Sequence, residues 1–312
     1  RTSRAPEAAV AEPFVPPSAP PNHLSAGELL VRPDDGATVS VDPDRAGWRY
    51  LSFRTFALAA GETVDAAVNG QEAAVVVIGG GGVTVAPGLG RALELPGRSS
   101  PFEGLPWAAY LPPGWGSRVV GRPAAQGGRV TVAIAEAPPS GRDGVAAEAF
   151  VIGPDDVEIE VRGAGNATRQ ITKIVRPETR ADRLEIVEVH TPSGNWSSWP
   201  PHKHDRDDMP TEAVLEEIYC YGFRRPEAWG LQRLYRADRS RDCLWEVRGG
   251  DVVLVTDGYH PFVAAHGDDA WYLNALAGDR RTMACSFDPD LDWVRATWES
   301  MTPDSRVPMV GR

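Results

Sequence analysis

The chain has 312 residues, of which 42% are hydrophobic and 24% are charged, and its net charge is −11. Such an acidic balance argues against a nucleic-acid-binding protein, because phosphates require clustered Lys and Arg. No apolar run approaches the ~18 residues of a membrane span. The three cysteines lack a CxxC pair, which is typical of reduced thiols. We therefore expect a cytoplasmic protein without nucleic-acid or membrane partners.

The first half of the chain predicts β-structure after an irregular start. Residues 1–23 are rich in Pro and Ala and cannot bury enough apolar surface to offset their ordering entropy, so we predict a disordered or draping extension. From 24 to 160, short apolar runs such as 73–78 alternate with Gly and Pro turns. This spacing is typical of a β-sandwich or barrel. Because 24–160 contains no histidine, it cannot form a histidine-based metal site.

The strand pattern resumes in residues 161–290, where 217–260 parallels 73–113 in its order of strands and turns. A repeat of this kind predicts two similar β-barrels, of which only the second carries candidate metal ligands. In the tail, 291–312, we expect a short helix followed by a loose end. The predicted fold class is all-β, with two barrels and a short helical tail.

Two histidines lie one residue apart, at His202 and His204. Side chains at i and i+2 of a strand leave from the same face, so both rings can reach one point. Glu217 opens an aromatic run that predicts a buried strand, and His260 follows a Val-rich run. Three imidazole nitrogens and one carboxylate oxygen suit Zn, Mn, Fe, Co or Ni and leave positions open for substrate. The alternative is that these histidines are surface or core residues without a ligand role.

These residues resemble the two motifs of the cupins, formed here by the histidine pair with Glu217 and by Gly258-Tyr-His-Pro261. An insert, residues 205–216, lengthens the first motif. The longer phrase Gly194-Asn-Trp-Ser-Ser-Trp-Pro-Pro-His-Lys-His-Asp205 is similar to the signature of the 5-deoxy-glucuronate isomerase family, bicupin enzymes of myo-inositol catabolism. The resemblance covers about 24–290. It implies a bicupin fold and one divalent metal ion, with Zn or Mn favoured, held by His202, His204, Glu217 and His260. Glu216 is the neighbouring alternative to Glu217, which stands immediately before Ile-Tyr as the ligand of the motif does.

The resemblance also implies a reaction. The expected activity is the aldose–ketose isomerisation of a small uronate, 5-deoxy-D-glucuronate, to 5-dehydro-2-deoxy-D-gluconate. A divalent metal would chelate O1 and O2 of the open-chain sugar and stabilise an enediolate. Proton transfer and a metal-assisted hydride shift both stay open. The chain departs from the family pattern at Trp199, Cys220 and Thr256-Asp257, none of which is a ligand.

Further candidates follow from strand parity. Tyr219 and Tyr221 share the face of Glu217, so Tyr219 is a candidate catalytic proton donor and Tyr221 a substrate contact, unless both only fill the barrel. If Arg233 faces the interior, we expect it to bind the substrate carboxylate and assist catalysis; if it faces outward, it is a solvated arginine. The other candidates are substrate contacts at Lys203, Tyr235 and Asn274, a rim position for His266, and a turn or imidazole-orienting role for Asp205.

Two other kinds of function compete with this hypothesis. Another metal-cupin enzyme, such as a related deoxyuronate isomerase or an Fe(II) dioxygenase, could use the same ligands, and a dioxygenase would consume O₂. A non-catalytic sugar-binding bicupin would not need an open metal site. Large cupin barrels often assemble, so we also expect a homo-oligomer.

Overall fold

The computed structural model describes residues 23–34 and 38–311. Its regular structure is almost entirely antiparallel β-sheet, and no described helix is long and apolar enough to cross a membrane. The extension predicted for residues 1–23 lies, apart from the exposed His23, outside the described residues.

The first half of the chain builds one barrel from two sheets. In the order β11, β8, β5, β10, β3 and β2, six strands form one sheet, and β4, β9, β6 and β7 form the other. Val75 of the first sheet and Val83 of the second belong to one buried apolar cluster, which fills the space between them. The elements are α1 (Ala26–Leu29), β1 (Leu30–Val31), β2 (Val39–Val41), α2 (Pro43–Ala46), β3 (Ser52–Leu58), β4 (Thr63–Ala66), a 3₁₀ turn (Val68–Gly70), β5 (Glu72–Gly79), β6 (Gly81–Pro87), β7 (Leu93–Arg98), β8 (Trp107–Leu111), β9 (Ser117–Pro123), β10 (Val130–Ala137) and β11 (Phe150–Ile152).

The second half builds a similar barrel. Its large sheet has the order β1, β20, β17, β22, β14, β13 and β12, its smaller sheet the order β15, β21, β18 and β19, and β16 pairs with β23. The predicted all-β fold of two barrels with a short helical tail is confirmed. The elements are β12 (Glu158–Arg162), β13 (Arg169–Val175), β14 (Leu184–Thr191), β15 (Trp196–Ser197), β16 (His202–Lys203), β17 (Glu216–Phe223), β18 (Trp229–Tyr235), β19 (Asp242–Arg248), β20 (Val252–Val255), β21 (Phe262–Ala264), β22 (Ala270–Ala277), β23 (Ser286–Phe287), α3 (Val294–Thr297) and a 3₁₀ turn (Trp298–Ser300).

The two barrels repeat one strand order. In the first, β5 pairs with β8 and β10; in the second, β17 pairs with β20 and β22. Likewise β6 pairs with β7 and β9, while β18 pairs with β19 and β21. The parallel predicted between 73–113 and 217–260 is therefore present in the topology, with β5 to β8 corresponding to β17 to β20.

Two strands of the second barrel begin before residue 161, where we predicted this barrel to start, and thus begin within the range 24–160 predicted for the first barrel. β12 begins before residue 161 and pairs with β13, placing Glu158 opposite Lys173. β1 pairs with β20 of the second barrel, placing Leu30 opposite Val253. The change from one barrel to the other thus falls between β11 and β12, and the first half contributes one short strand to the second barrel.

The largest sheets of the two barrels pack face to face. Along β5, Ala74 and Val76 belong to an apolar cluster that also includes Ile218 of the second barrel, whereas Ala73 and Val75 belong to the interior of the first barrel. Both faces of such a strand are buried. This is why its sequence is an unbroken apolar run rather than an alternating one.

Two glutamates fasten the barrels together in the same way. Glu72, the first residue of β5, accepts hydrogen bonds from the backbone N–H groups of residues 182–184 at 2.8, 2.6 and 2.9 Å. Glu216, the first residue of β17, accepts hydrogen bonds from the backbone N–H groups of residues 49–51 at 2.6, 3.0 and 2.8 Å. Each carboxylate therefore satisfies three backbone donors of the opposite half.

The second residue of β5 and the second residue of β17 each face a barrel interior, and the two halves of the chain differ at this position. In the first barrel this position is Ala73, which lies in the apolar interior cluster. In the second barrel it is Glu217, followed on the same face by Tyr219 and Tyr221. Polar side chains therefore line the second interior, where the first is filled with Ala, Val, Leu and Ile.

The C-terminal tail is fixed to the second barrel and is not the loose end that we expected. The carboxamide oxygen of Gln170 accepts hydrogen bonds from the N–H groups of Met309 and Val310 at 2.7 and 3.0 Å. Its Nε2 donates to Val310 O at 2.8 Å. Val307 and Val310 are buried. The tail sequence predicts only the short helix at 294–297. The residues after this helix are held by Gln170, which lies far upstream in the sequence.

Glu185 of β14 is a buried carboxyl group on the interior face of the second barrel. It lies opposite Leu276, which lies opposite Glu217 in turn, so the three share one face of the sheet. Neither carboxyl oxygen of Glu185 has a hydrogen-bond partner among the described residues. Burial raises the pKa of Glu185 to about 7, and the guanidinium of Arg281 offsets only part of this rise.

We expect Glu185 to make the protein less stable as pH rises through 7. Its pKa is higher in the folded chain than the ordinary 4.5, so the folded state binds more protons and deprotonation favours unfolding. Between pH 5 and pH 8, the unfolding free energy of Glu185→Gln should rise by about 2–3 kcal/mol relative to the wild type. Urea denaturation of both proteins at each pH measures this change. A difference that stays constant with pH would contradict it.

Candidate metal centre

Three side chains of the second barrel converge on one point. His204 follows β16, Glu217 lies in β17, and His260 precedes β21. Their nearest ligand atoms all lie within 4.8 Å of one another, and all three residues are buried. Glu217 Oε2 is 2.9 Å from His204 Nε2 and 3.4 Å from His260 Nε2. The structure thus brings together three of the four predicted ligands.

Local backbone contacts position these side chains. The N–H of Leu215 donates to His204 O at 3.0 Å, which returns the chain toward β17 after the 205–216 insert. Gly258 has a φ of +87°, and a Cβ there would lie 2.4 Å from Tyr235 O. Only glycine therefore allows the turn to pass this close to β18 and deliver His260.

Backbone carbonyls fix the tautomer of both histidines. His204 Nδ1 is 2.9 Å from Leu215 O, and His260 Nδ1 is 3.0 Å from Gly258 O. A carbonyl oxygen only accepts, so each Nδ1 carries a proton, and the Nε2 of a neutral ring presents a lone pair to Glu217. His260 Nε2 is buried and has no hydrogen-bond partner within the described structure. Once the proton between His204 and Glu217 is removed, the two Nε2 atoms and the carboxylate form a donor set for a cation.

The donor set and its spacing fit a divalent cation. Ligand atoms of a tetrahedral ion with bonds of about 2.1 Å lie about 3.4 Å apart; the nitrogen–oxygen distances here are 2.9 and 3.4 Å. Burial lowers the pKa of His260 to about 4, which keeps its ring neutral. Burial also acts to lower the pKa of His204, but the hydrogen bond to Glu217, the charge of Glu217 and the carbonyl of Leu215 together outweigh burial and raise that pKa. A metal would replace the proton that His204 and Glu217 share.

His202 lies beside this cluster. Its ring centroid is 4.6 Å from that of His260 and 6.4 Å from that of His204. Its nitrogens fall outside the mutual 4.8 Å spacing of the other three residues. Burial, followed by the rings of His260 and His204, lowers the pKa of His202 well below its usual value. The ring is therefore neutral and has a lone pair for a cation.

A narrow cavity opens next to the cluster, with His202 and Glu217 in its wall. Tyr219 also lines it, and its hydroxyl is 2.7 Å from the hydroxyl of Ser198. Burial raises the pKa of Tyr219 well above its usual value, so this hydroxyl stays protonated. Asn274 lies opposite Tyr219 in the sheet and donates from Nδ2 to Ile218 O at 3.0 Å. The cavity thus combines the candidate ligands with a hydroxyl donor and a carboxamide.

Tyr221, the next aromatic on the same face, does not line this cavity. Its hydroxyl donates to Gln232 Oε1, and its ring packs against Phe262 at a centroid distance of 5.2 Å. We therefore interpret Tyr221 as a residue that fills the barrel, which was the alternative to a substrate contact.

Lys203 points away from the cavity into an ionic network. Its Nζ is 2.6 Å from Asp205 Oδ1 and 2.8 Å from Glu212 Oε1. The other carboxylate oxygen of Asp205 accepts the N–H of Gly258 at 2.9 Å. This network joins the insert after His204 to the turn before His260. Asp205 thus has a positioning role. Sequence reasoning missed Glu212, although Lys203 lies only 9 positions away, because no strand or motif pattern connects the two residues.

Arg233 and Tyr235 are not brought to the cavity. Arg233 donates from Nε and Nη2 to Asp242 at 2.8 and 2.6 Å, and its guanidinium lies 4.3 Å from the ring centroid of Tyr235. The hydroxyl of Tyr235 donates to Asp288 at 2.5 Å. The side chain of Gln232 faces the interior of the barrel, and that of the next residue, Arg233, faces outward. Arg233 therefore does not meet the condition under which we expected it to bind the substrate carboxylate. His266 is exposed in the turn after β21.

Sequence reasoning missed the positive charges of the cavity. Arg162 of β12 and Arg169 and Lys173 of β13 line it. Arg169, Ile171 and Lys173 alternate along one strand, and this alternation was the available signal.

The comparisons with known proteins identify the family of this chain. A profile of the KduI/IolB family matches residues 29–294, which include both barrels. The chain belongs to the KduI/IolB family. The matched region contains all four predicted ligand positions and the cavity beside them.

Named relatives within the KduI/IolB family cover most of the chain. The 5-deoxy-glucuronate isomerase of Geobacillus kaustophilus is 39% identical over 262 residues, covering 84% of this chain and 91% of the relative. The protein of the same name from Shouchella clausii is 34% identical over 277 residues, covering 86% and 98%.

Solved structures show the same fold. An IolB-like protein from Salmonella typhimurium LT2 has a TM-score of 0.78 at 32% identity and covers 85% of this chain and 98% of that protein. An oxalate decarboxylase from Lactobacillus farciminis has a TM-score of 0.55 at 11% identity and covers 88% and 91%. The second likeness concerns the bicupin fold alone.

Proposed function

We propose that this KduI/IolB family protein is a 5-deoxy-glucuronate isomerase, which converts 5-deoxy-D-glucuronate to 5-dehydro-2-deoxy-D-gluconate in inositol catabolism. The observation that carries the proposal is the buried cluster of His204, Glu217 and His260 beside a polar cavity. The 39% identity to a relative of that name supports the choice of substrate.

His204, Glu217 and His260 would hold one divalent metal, with His202 as the fourth ligand. Zn or Mn suits these nitrogen and oxygen donors best, and Fe, Co or Ni would also fit them. When bound, the ion supplies Lewis acidity to the aldehyde and hydroxyl oxygens of an open-chain sugar. The protein contributes neutral Nε2 donors that two backbone carbonyls orient.

Tyr219 is the residue that we assign to hydrogen bonding at the reacting atoms. Its hydroxyl stays protonated, and Ser198 fixes its direction. It would donate to the sugar oxygen that gains negative charge when hydrogen leaves C2. Asn274 uses Nδ2 on Ile218 O, which leaves its carboxamide oxygen for a substrate hydroxyl.

The cavity has a volume of about 60 Å³, whereas small-molecule sites usually span about 300–1,000 Å³. A six-carbon acid therefore needs the rim to move, and the half-exposed Met283 is the rim residue that we expect to move first. Three larger spaces, of 540 Å³ beside Arg180, 390 Å³ between the barrels and 280 Å³ beside Arg233, contain no residue of the cluster. We therefore assign the reaction to the small cavity beside the cluster.

The test is an NMR time course of 5-deoxy-glucuronate in D₂O with metal-loaded protein. We expect conversion to the 2-deoxy-5-keto acid, and loss of conversion after chelation and in His202→Ala. Deuterium at C1 would favour proton transfer over a hydride shift. Folded, metal-loaded protein that converts nothing would refute the proposal, and O₂ consumption would favour a dioxygenase instead.

Two further expectations accompany this function. The thiols of Cys220, Cys243 and Cys285 are unpaired in the described residues, which agrees with the expected cytoplasmic location. Homo-oligomerisation stays a prediction from the fold, and size-exclusion chromatography with light scattering tests it.

A further inference from the structure

Among the positive charges of the cavity, Arg169 differs from its two neighbours. Lys173 lies 2.7 Å from Glu158, and Arg162 forms a two-point ion pair with Glu160 at 2.6 and 2.9 Å. Arg169 has no carboxylate within ion-pair distance in the described part of the chain, although its exposed fraction is only 4%. Burial lowers its pKa to about 10, which still leaves the guanidinium charged near neutral pH. A buried charge of this kind requires a counter-ion.

The hydrogen bonds of Arg169 leave one edge of its guanidinium open. Nη1 donates to Ala167 O at 3.0 Å and to Trp199 O at 3.1 Å, which uses both of its hydrogens. Nε and Nη2 have no acceptor among the described residues. These two nitrogens form the planar edge that binds a carboxylate through two parallel hydrogen bonds.

The position of Arg169 relates this edge to the metal cluster. Arg169 and His202 line the same cavity, and Arg169 is among the charges that lower the pKa of His202. The ring of Trp298, in the tail, lies 5.9 Å from the guanidinium carbon. The two carbonyls that accept from Nη1 and this ring hold the guanidinium in a fixed direction.

We propose that Arg169 anchors the carboxylate of the substrate through its Nε/Nη2 edge, while the other end of the sugar faces the histidine cluster. The inference rests on the proposed isomerase function and names its specificity-determining residue. It replaces Arg233, whose guanidinium is already paired with Asp242 on the outer side of β18. The enzyme should therefore select sugars with an acidic group over neutral sugars of the same length.

The test compares 5-deoxy-glucuronate with its neutral carboxamide in the wild type, Arg169→Met, Lys173→Met and Arg233→Gln. Loss of a two-point charged contact should raise KM by about 100-fold. We therefore expect the wild type and Arg233→Gln to prefer the acid strongly, and Arg169→Met to treat acid and amide alike. Lys173→Met should keep the preference, because Lys173 is already paired with glutamates. Arg169→Lys retains the positive charge but loses the planar two-point edge of the guanidinium, so it should show an intermediate preference for the acid.

A binding measurement separates this inference from the proposed activity. Calorimetry with the reduced sugar acid, whose aldehyde is an alcohol, and with its amide needs no turnover. Charge-selective binding that disappears in Arg169→Met would support the anchor even if the wild type did not isomerise the sugar. Selectivity that persists undiminished in folded Arg169→Met, or that depends on Lys173, would overturn the anchor while leaving the isomerase intact.

Discussion

Replacement of Glu217 by Gln is expected to remove the bound metal and to lower kcat by at least about 1,000-fold. The carboxylate oxygen of Glu217 lies 2.9 Å from His204 Nε2 and 3.4 Å from His260 Nε2, so it is the negative charge between two neutral donors. A neutral carboxamide would leave a divalent cation without this charge. Metal content of the purified variant, measured beside its activity, tests the prediction.

Glu216→Gln is the matched control, because Glu216 is adjacent in sequence and opposite in direction. Its carboxylate serves the N–H groups of residues 49–51 at the barrel interface. We expect this variant to retain its metal and to lose about 2 kcal/mol of unfolding free energy, since an amide oxygen cannot serve all three donors. If Glu216→Gln lost metal while Glu217→Gln kept it, the assignment of the ligand would be reversed.

Removal of the Tyr219 hydroxyl is expected to lower kcat by about 100-fold with little change in metal content. The hydroxyl lines the cavity, stays protonated, and is directed by Ser198 at 2.7 Å. Tyr219→Phe preserves the ring that packs against Tyr272 at a centroid distance of 4.7 Å. Steady-state kinetics with metal analysis measures the effect.

Tyr221→Phe provides the comparison for Tyr219→Phe. Both tyrosines lie on one face of β17, but the hydroxyl of Tyr221 is used by Gln232 in the core. We expect Tyr221→Phe to cost stability and to change kcat by less than about fivefold, because it loses a buried hydrogen bond rather than a contact to substrate. Equal losses of kcat in both variants would mean that the aromatic stack as a whole, and not the Tyr219 hydroxyl, supports the reaction.

The alternation of side chains along a strand predicted the facing direction of residues correctly where the strand was long and regularly paired. The rule that alternate residues share a face placed Tyr219 beside Glu217, and the structure agrees. The same rule could not say which face of β18 is interior, because Arg233 and Gln232 are both polar. The pairing of Arg233 with Asp242 across a hairpin decided it, and that contact depends on the register of β18 and β19.

The sequence alone determined the all-β class, the repeat of strand order, and the identity of the residues that converge on the cluster. These follow from local information: apolar runs between turns, a histidine pair with a spacing of two, and a glycine before His260. Tertiary structure decided which carboxylates act at the interface and which cation in the cavity lacks a partner. The interface contacts join residues more than 100 positions apart, such as Glu216 with 49–51. The ion pairs of the cavity depend on how β12 pairs with β13. No periodicity in the sequence encodes such contacts.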